Sequence, residues 1–192
     1  MAFNIYMCGV GWQGIGMLSE ILLRAADHAG FRVKAVDTHG LAQRGGMVVS
    51  HLRIGEAVFS PLIREGQADL VIGLEIHETF RAIHRWSKAG SNAIYYRASW
   101  QPLPVRLGGV PSSPDVAMRD VIERKQLRML PVEMPGLQKS RMQNMAVLGQ
   151  IDRHQLIPGV RTDHYLSAMD DLMEGKMLAE NRMVFDQAAA MA

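Results

Sequence analysis

A glycine-rich turn near the N-terminus constrains the fold more than any other feature. Phe3 to Cys8 is a short apolar run that reads as a buried strand. Gly9-Val10-Gly11-Trp12-Gln13-Gly14 follows, a GxGxxG, with Gly16 two residues on. Ile15, Leu18, Ile21, Leu22, Ala25, Ala26 and Ala29 then recur at helical spacing, and Gly30 is placed to stop the helix. Strand, glycine turn, amphipathic helix, glycine and second strand (Phe31 to Val36) form the opening of a doubly wound βαβ unit. Such a turn aims free backbone N–H groups and the positive helix end at one point, where an anion can bind. The alternative is that the glycines serve only a tight turn and close helix–sheet packing. Asp37 ends the second strand, where a dinucleotide-binding protein places its ribose-binding acid.

The second glycine-rich stretch is Asp37 to Gly55, DTHGLAQRGGMVVSHLRIG. It reads as the end of a strand, a loop with Gly40, Gly45 and Gly46, and a new strand from Met47 to Ile54. Arg44 offers a planar, permanently charged fork suited to carboxylate or phosphate. The bland alternative is a solvated arginine in a tight turn. Glu56 to Pro61 reads as a hairpin return, and Ser60 to Gly66 as a short helical turn. Asp69 to Leu74 is an almost continuous apolar run, as in a central strand covered on both faces. Glu75 follows at its end, the edge at which open α/β sheets bind ligands. Its competing role is a helix N-terminal charge. A helix is expected over Thr79 to Lys88, closed by Gly90, then a strand over Ser91 to Tyr96. His77 and His84, two turns apart, are too distant to share a metal and read as solvated or packing groups.

Four prolines between Arg97 and Pro114 favour extended chain or a β-appendage. Ser113-Pro114-Asp115 opens a helix to about Gln126. Leu127 to Val132 is a last strand. Met142 to Ile151, His164 to Met173 and Lys176 to Gln187 are helical, with Gly149 marking close helix packing or a subunit contact. The expected fold is α/β: a Rossmann-like, doubly wound, mostly parallel sheet with helices on both faces and a C-terminal helical extension. Residues 1–150 form the Rossmann-like domain, and 151–192 extend the same domain.

Composition narrows the function. The chain has 192 residues, 48% hydrophobic and 21% charged, with a formal charge of +2. No dense basic stripe points to nucleic acid. No run approaches the roughly 20 apolar residues of a membrane span, and the start lacks the pattern of a signal peptide. A cytoplasmic protein is expected. A single cysteine, Cys8, cannot build a four-cysteine zinc or iron–sulfur site, and its apolar setting suggests buried packing. The 14 methionines suit core filling or a subunit contact.

Taken together, the motifs resemble the gamma-type subunit, or domain, of the 2-oxoacid:ferredoxin oxidoreductases, and within that family the small (beta) subunit of the indolepyruvate enzymes. The resemblance rests on Gly9-Val-Gly-Trp-Gln-Gly-Ile, His39-Gly-Leu-Ala-Gln-Arg-Gly-Gly, Val49-Ser-His-Leu-Arg-Ile-Gly, Ser60-Pro-Leu-Ile, Ala68-Asp-Leu, Leu74-Glu75 with Glu78, Asn144-Met-Ala-Val-Leu-Gly, and a late Glu180-Asn181 with Phe185. It implies oxidative decarboxylation of a 2-oxoacid with coenzyme A, giving acyl-CoA and carbon dioxide and passing electrons to ferredoxin or a similar acceptor. It further implies that thiamine diphosphate, magnesium and iron–sulfur clusters sit in a larger partner chain. This chain then holds no firmly bound cofactor, and coenzyme A is possible at its edge. Trp12 departs from the family, which commonly has glycine there.

The candidate ligand-facing residues are Gly9, Gly11, Gln13, Gly14, Thr38, His39, Gly40, Gln43, Arg44, Gly45, Gly46 and Glu75. All fall at C-terminal strand ends and are expected on one rim, facing the partner's active centre. No catalytic residue and no metal ligand is expected in this chain. Two other functions remain open: a free-standing NAD- or FAD-binding oxidoreductase, which nucleotide titration would reveal, and an assembly module whose glycines serve packing alone.

Overall fold

The computed structural model describes residues 2–11, 13–39, 47–99, 115–137 and 139–191. Six strands form one sheet: β1 (Phe3–Val10), β2 (Val33–His39), β3 (Met47–Ile54), β4 (Ala68–Gly73), β5 (Ser87–Tyr96) and β6 (Arg128–Val132). Their order across the sheet is β2-β3-β1-β4-β5-β6. Five strands run the same way and β3 alone is reversed, pairing antiparallel with both β1 and β2. The α/β, mostly parallel architecture expected from the sequence is therefore present. One detail differs. The first two strands are parallel but not neighbours, because β3 returns from the glycine loop and inserts between them.

The helices are α1 (Ile15–His28), α2 (Ile76–Arg85), α3 (Asp115–Lys125), α4 (Gln143–Arg153), α5 (Thr162–Leu172) and α6 (Gly175–Ala190). Alternation along the strands separates two apolar layers. Ile5, Met7, Leu52, Leu70, Ile72 and Ile94 face α1 and α4, and α5 and α6 pack behind them in the same cluster through Tyr165 and Phe185. Tyr6, Cys8, Val71 and Ala93 face the other way, towards α2 and α3. No helix among the described residues is long and apolar enough to cross a membrane.

Gly30 follows α1 as expected. Phe31 N–H reaches Ala26 O (3.0 Å) and Gly30 N–H reaches Asp27 O (2.8 Å), a Schellman closure. Gly90 does not close α2. That helix starts three residues earlier than its apolar pattern suggests, because Glu75 caps it, and it ends at Arg85. Its last carbonyls are taken from outside: Lys125 Nζ donates to Ile83 O (3.0 Å) and His84 O (2.8 Å). Gly90 instead lies inside β5, where the register against β4 slips between Ala68 and Leu70. The hairpin return and helical turn expected over 56–66 are irregular chain with turns at Glu56-Ala57 and Glu65-Gly66. Arg53 organises part of it, donating to Ser60 O (3.0 Å) and Leu62 O (3.5 Å). The proline-rich stretch 100–114 lies outside the described residues.

Candidate functional site

The C-terminal ends of β1, β2 and β4 share one rim with the start of β3. Val10 pairs with Met47, and His39 pairs with Val48. β4 ends alongside β1, with Leu74 N–H on Cys8 O at 2.9 Å. The first glycine turn, Thr38 and Glu75 therefore stand together. Gly40 to Gly46, with Gln43 and Arg44, and Trp12 lie outside the described residues, as does the side chain of His39.

Gln13 locks the rim. Its side chain is 1% exposed. Oε1 accepts from Val10 N–H (2.7 Å), while Nε2 donates to Leu74 O (2.8 Å) and Gln143 Oε1 (3.3 Å). One amide thus joins the turn, the end of β4 and the start of α4. The Gln13 side chain is engaged within the fold and is not free to meet a ligand. Gly11 is exposed at its tip. Gly14 is the residue before α1, with φ +83, and a Cβ there would lie 2.6 Å from Asn144 Nδ2. The conformation disfavours a side chain, and one there would have to displace the Asn144 amide. Asn144 Nδ2 also donates to Gly14 O at 3.2 Å. Gly9 is nearly as confined, with Gln13 Oε1 3.0 Å from a Cβ built there.

Glu75 is 1% exposed, and its Oε2 accepts from Glu78 N–H at 2.8 Å. It is the N-cap of α2, so the competing helix N-terminal role is the one it plays. Asp37 is held by Ser19 Oγ at 3.1 Å, and Ser19 meets Ser50 Oγ at 2.8 Å. The acid at the would-be ribose position is therefore leaned on α1. Thr38 is exposed. Among the described residues no group of three or more His, Cys, Asp or Glu could hold a metal ion. The polar pair Gln143-Asn144, at the head of an otherwise apolar helix, was missed as part of the rim. Two amides before so apolar a run were the available signal.

A second feature lies beneath α2. A cavity of about 770 Å³ is bordered by Tyr6, Cys8, Val49, His51, Arg81 and Trp86. Tyr6 and Trp86 stack at 4.8 Å, and His51 meets both edge-on at 5.0 and 5.1 Å. Ile63 N–H donates to His51 Nδ1 at 3.2 Å, so the neutral ring carries its proton on Nε2. Burial disfavours the imidazolium and lowers the His51 pKa from its ordinary 6.5. The unfolded chain thus takes up protons that the folded one refuses, and stability is lost as pH falls below about 6.5. His154 shifts the same way through burial and then Arg128 and Arg153, so it shares the effect. A His51→Gln variant keeps an acceptor for Ile63 and is expected to flatten the fall in melting temperature between pH 7 and pH 5. An unchanged slope would remove His51 as a source. The Cys8 thiol, 1% exposed, is pushed well above its usual pKa by burial, then by Glu78 and Glu75, and serves as packing.

The family model for pyruvate ferredoxin/flavodoxin oxidoreductase matches residues 4–191. Indolepyruvate oxidoreductase subunit IorB of Methanothermobacter thermautotrophicus is 33% identical over 189 residues, 96% of this chain and 95% of that protein. IorB of Archaeoglobus fulgidus is 52% identical over 81 residues, 42% of this chain and 40% of that one. Among solved structures, 2-oxoglutarate:ferredoxin oxidoreductase from Magnetococcus marinus, with 2-oxoglutarate, coenzyme A and succinyl-CoA bound, superposes with a TM-score of 0.72 at 18% identity. That match covers 98% of this chain and 30% of the longer one. Pyruvate oxidoreductase subunit PORC from Thermotoga maritima superposes with a TM-score of 0.67 at 14% identity, covering 97% and 94%. At these identities the structures speak for the fold; membership rests on the model match and on the relative aligned end to end. The chain belongs to the pyruvate ferredoxin/flavodoxin oxidoreductase family.

Proposed function

We propose that this chain is the small, gamma-type subunit of a cytoplasmic 2-oxoacid:acceptor oxidoreductase of the indolepyruvate branch. The complex oxidatively decarboxylates a 2-oxoacid with coenzyme A, yields acyl-CoA and carbon dioxide, and passes two electrons to ferredoxin or a similar acceptor. The observation that carries the reading is the 33% identity to an indolepyruvate oxidoreductase subunit along 95% of its length. Thiamine diphosphate, magnesium and the iron–sulfur clusters belong to a larger partner chain in this reading. The donor set here suits that division, since one cysteine cannot ligate a four-cysteine cluster. Thiamine diphosphate would supply the decarboxylation chemistry there.

The part left to this chain is positional. The rim of β1, β2 and β4 faces the partner's active centre and helps to exclude water from it. Arg44, with the backbone of Gly45 and Gly46, holds a coenzyme A phosphate or a partner carboxylate. A free-standing dinucleotide enzyme is less well supported. Asp37 is already bonded to Ser19, and Val10 N–H is taken by Gln13. Absence of tight NAD or FAD binding to the chain alone would separate the two.

Arg44→Ala in the assembled complex is expected to raise the KM for coenzyme A about 10- to 100-fold, the loss of one charged hydrogen bond. The circular-dichroism melt of the chain should stay at the wild-type value. Turnover and coenzyme A affinity both unchanged would remove Arg44 from this role.

A further inference from the structure

Helix α6 has two faces. One sinks Val184, Phe185 and Ala188 into the core. The other carries Lys176, Glu180 and Met183, spaced four and three apart as one stripe needs, with Met177 at its border. Met177 is 47% exposed and Met183 54%. Two adjoining clefts of about 570 and 230 Å³ run beside this stripe and share Lys139, Met142 and Glu180. The larger reaches the first glycine turn at Gly11 and Gly14. Methionine dominates the apolar walls: Met17, Met142, Met173 and Met177 in the larger cleft, Met134 and Met183 in the smaller. Such surfaces adapt to a helix laid across them. From Lys176 to Gln187 the groove spans roughly 17 Å of helix, about three turns.

Its charge is one-sided. Lys139, Arg141 and Lys176 converge on the larger cleft, answered there by the single carboxylate of Glu180. Lys139 Nζ lies 2.5 Å from Glu180 Oε2, and Lys176 Nζ lies 3.8 Å from Oε1. Arg141 is exposed.

We infer that this methionine groove docks the larger chain of the complex, through an amphipathic helical segment whose acidic end meets Lys139, Arg141 and Lys176. The inference rests on the subunit reading above. Charge selects the occupant: a second copy of this chain would bring the same cations to the contact. The matched fold makes up 30% of the longer Magnetococcus chain. Docking along α6 leaves the rim beside Gly11 turned to the partner, which joins the two sites.

The test is co-purification of the full chain with the larger chain, followed by dissociation on dilution. Met177→Glu and Met183→Glu should weaken association by roughly 10- to 100-fold, as loss of anchor contacts does. Arg141→Glu with Lys176→Glu should slow association and reduce its salt dependence. The melting temperature of the chain should be unchanged in all of them. Phe59→Glu, at a residue 89% exposed near the opposite edge, should associate as wild type. Wild-type association by the methionine and charge variants, or dissociation by Phe59→Glu alone, would overturn the inference and leave the subunit reading standing. Loss of coenzyme A affinity with association intact would overturn it in favour of a small-molecule site. A wild-type chain that never joins a larger chain would take down both.

Discussion

Gln13→Ala is expected to destabilise the chain by about 3–5 kcal/mol, the largest effect of any polar substitution at the rim. The side chain is buried and joins three groups distant in sequence: Val10 N–H, Leu74 O and the Gln143 amide. Alanine leaves all three without this partner. Each buried unsatisfied group costs about 1–3 kcal/mol. Gln13→Glu should fare little better, since a carboxylate cannot donate to Leu74 O. Urea unfolding of the two variants, read as the midpoint at unchanged m-value, measures this. If Gln13 were chiefly a ligand-binding group, both would keep wild-type stability and lose only affinity.

The second large effect concerns α4 against α6. Gly149 sits where the two helices cross, and a Cβ there would lie 2.4 Å from Phe185 O and 2.9 Å from Ala188 Cβ. Backbone, rather than a flexible side-chain end, stands in the way. The same crossing closes the end of α6, with Arg153 donating to Ala189 O (3.2 Å) and Gln150 to Ala188 O (2.5 Å). Gly149→Ala gains about 1 kcal/mol of helix propensity but must push the helices apart, so a net loss of about 2 kcal/mol is expected. That corresponds to a fall of about 4–8 °C in Tm for a chain of this size. Gly149→Val should exceed it and free the C-terminal half of α6, visible as faster amide exchange there. A Tm at or above wild type for Gly149→Ala would mean that the crossing is looser than described.

How far the sequence reaches depends on the range of each interaction. The strand, glycine turn and helix from Phe3 to Gly30 were legible because turn chemistry and 3.6-residue spacing are local. Gly149 was legible as close packing because a glycine in an apolar helix has few other reasons to be there. The place of β3 was not legible. An apolar strand after a glycine loop can pair on either side, and nothing local says that it separates β1 from β2. Gly90 misled for a similar reason. Lys125, four decades of sequence further on, takes the carbonyls that a glycine closure would have served. At the rim, the glycines could be named but not the state of Gln13, whose partners Leu74 and Gln143 lie 61 and 130 residues away. The Glu75 cap was not legible, because glutamate is an uncommon N-cap residue and its position at a strand end pointed to a ligand instead.

The orientation of the rim can be read directly with a single label. Cys8 is the only cysteine and is buried, so an introduced surface thiol is the one that reacts. Thr38→Cys places that thiol on the exposed end of β2, beside the glycine loops, and Gln67→Cys places it just before β4, at the opposite edge. Each variant is labelled with a bulky maleimide and assembled with the larger chain, and turnover of the 2-oxoacid with coenzyme A is measured. The rim facing the partner's active centre predicts that the Thr38 label abolishes turnover while the Gln67 label leaves it at the wild-type rate. Full turnover with Thr38 labelled, or loss only with Gln67 labelled, would contradict it.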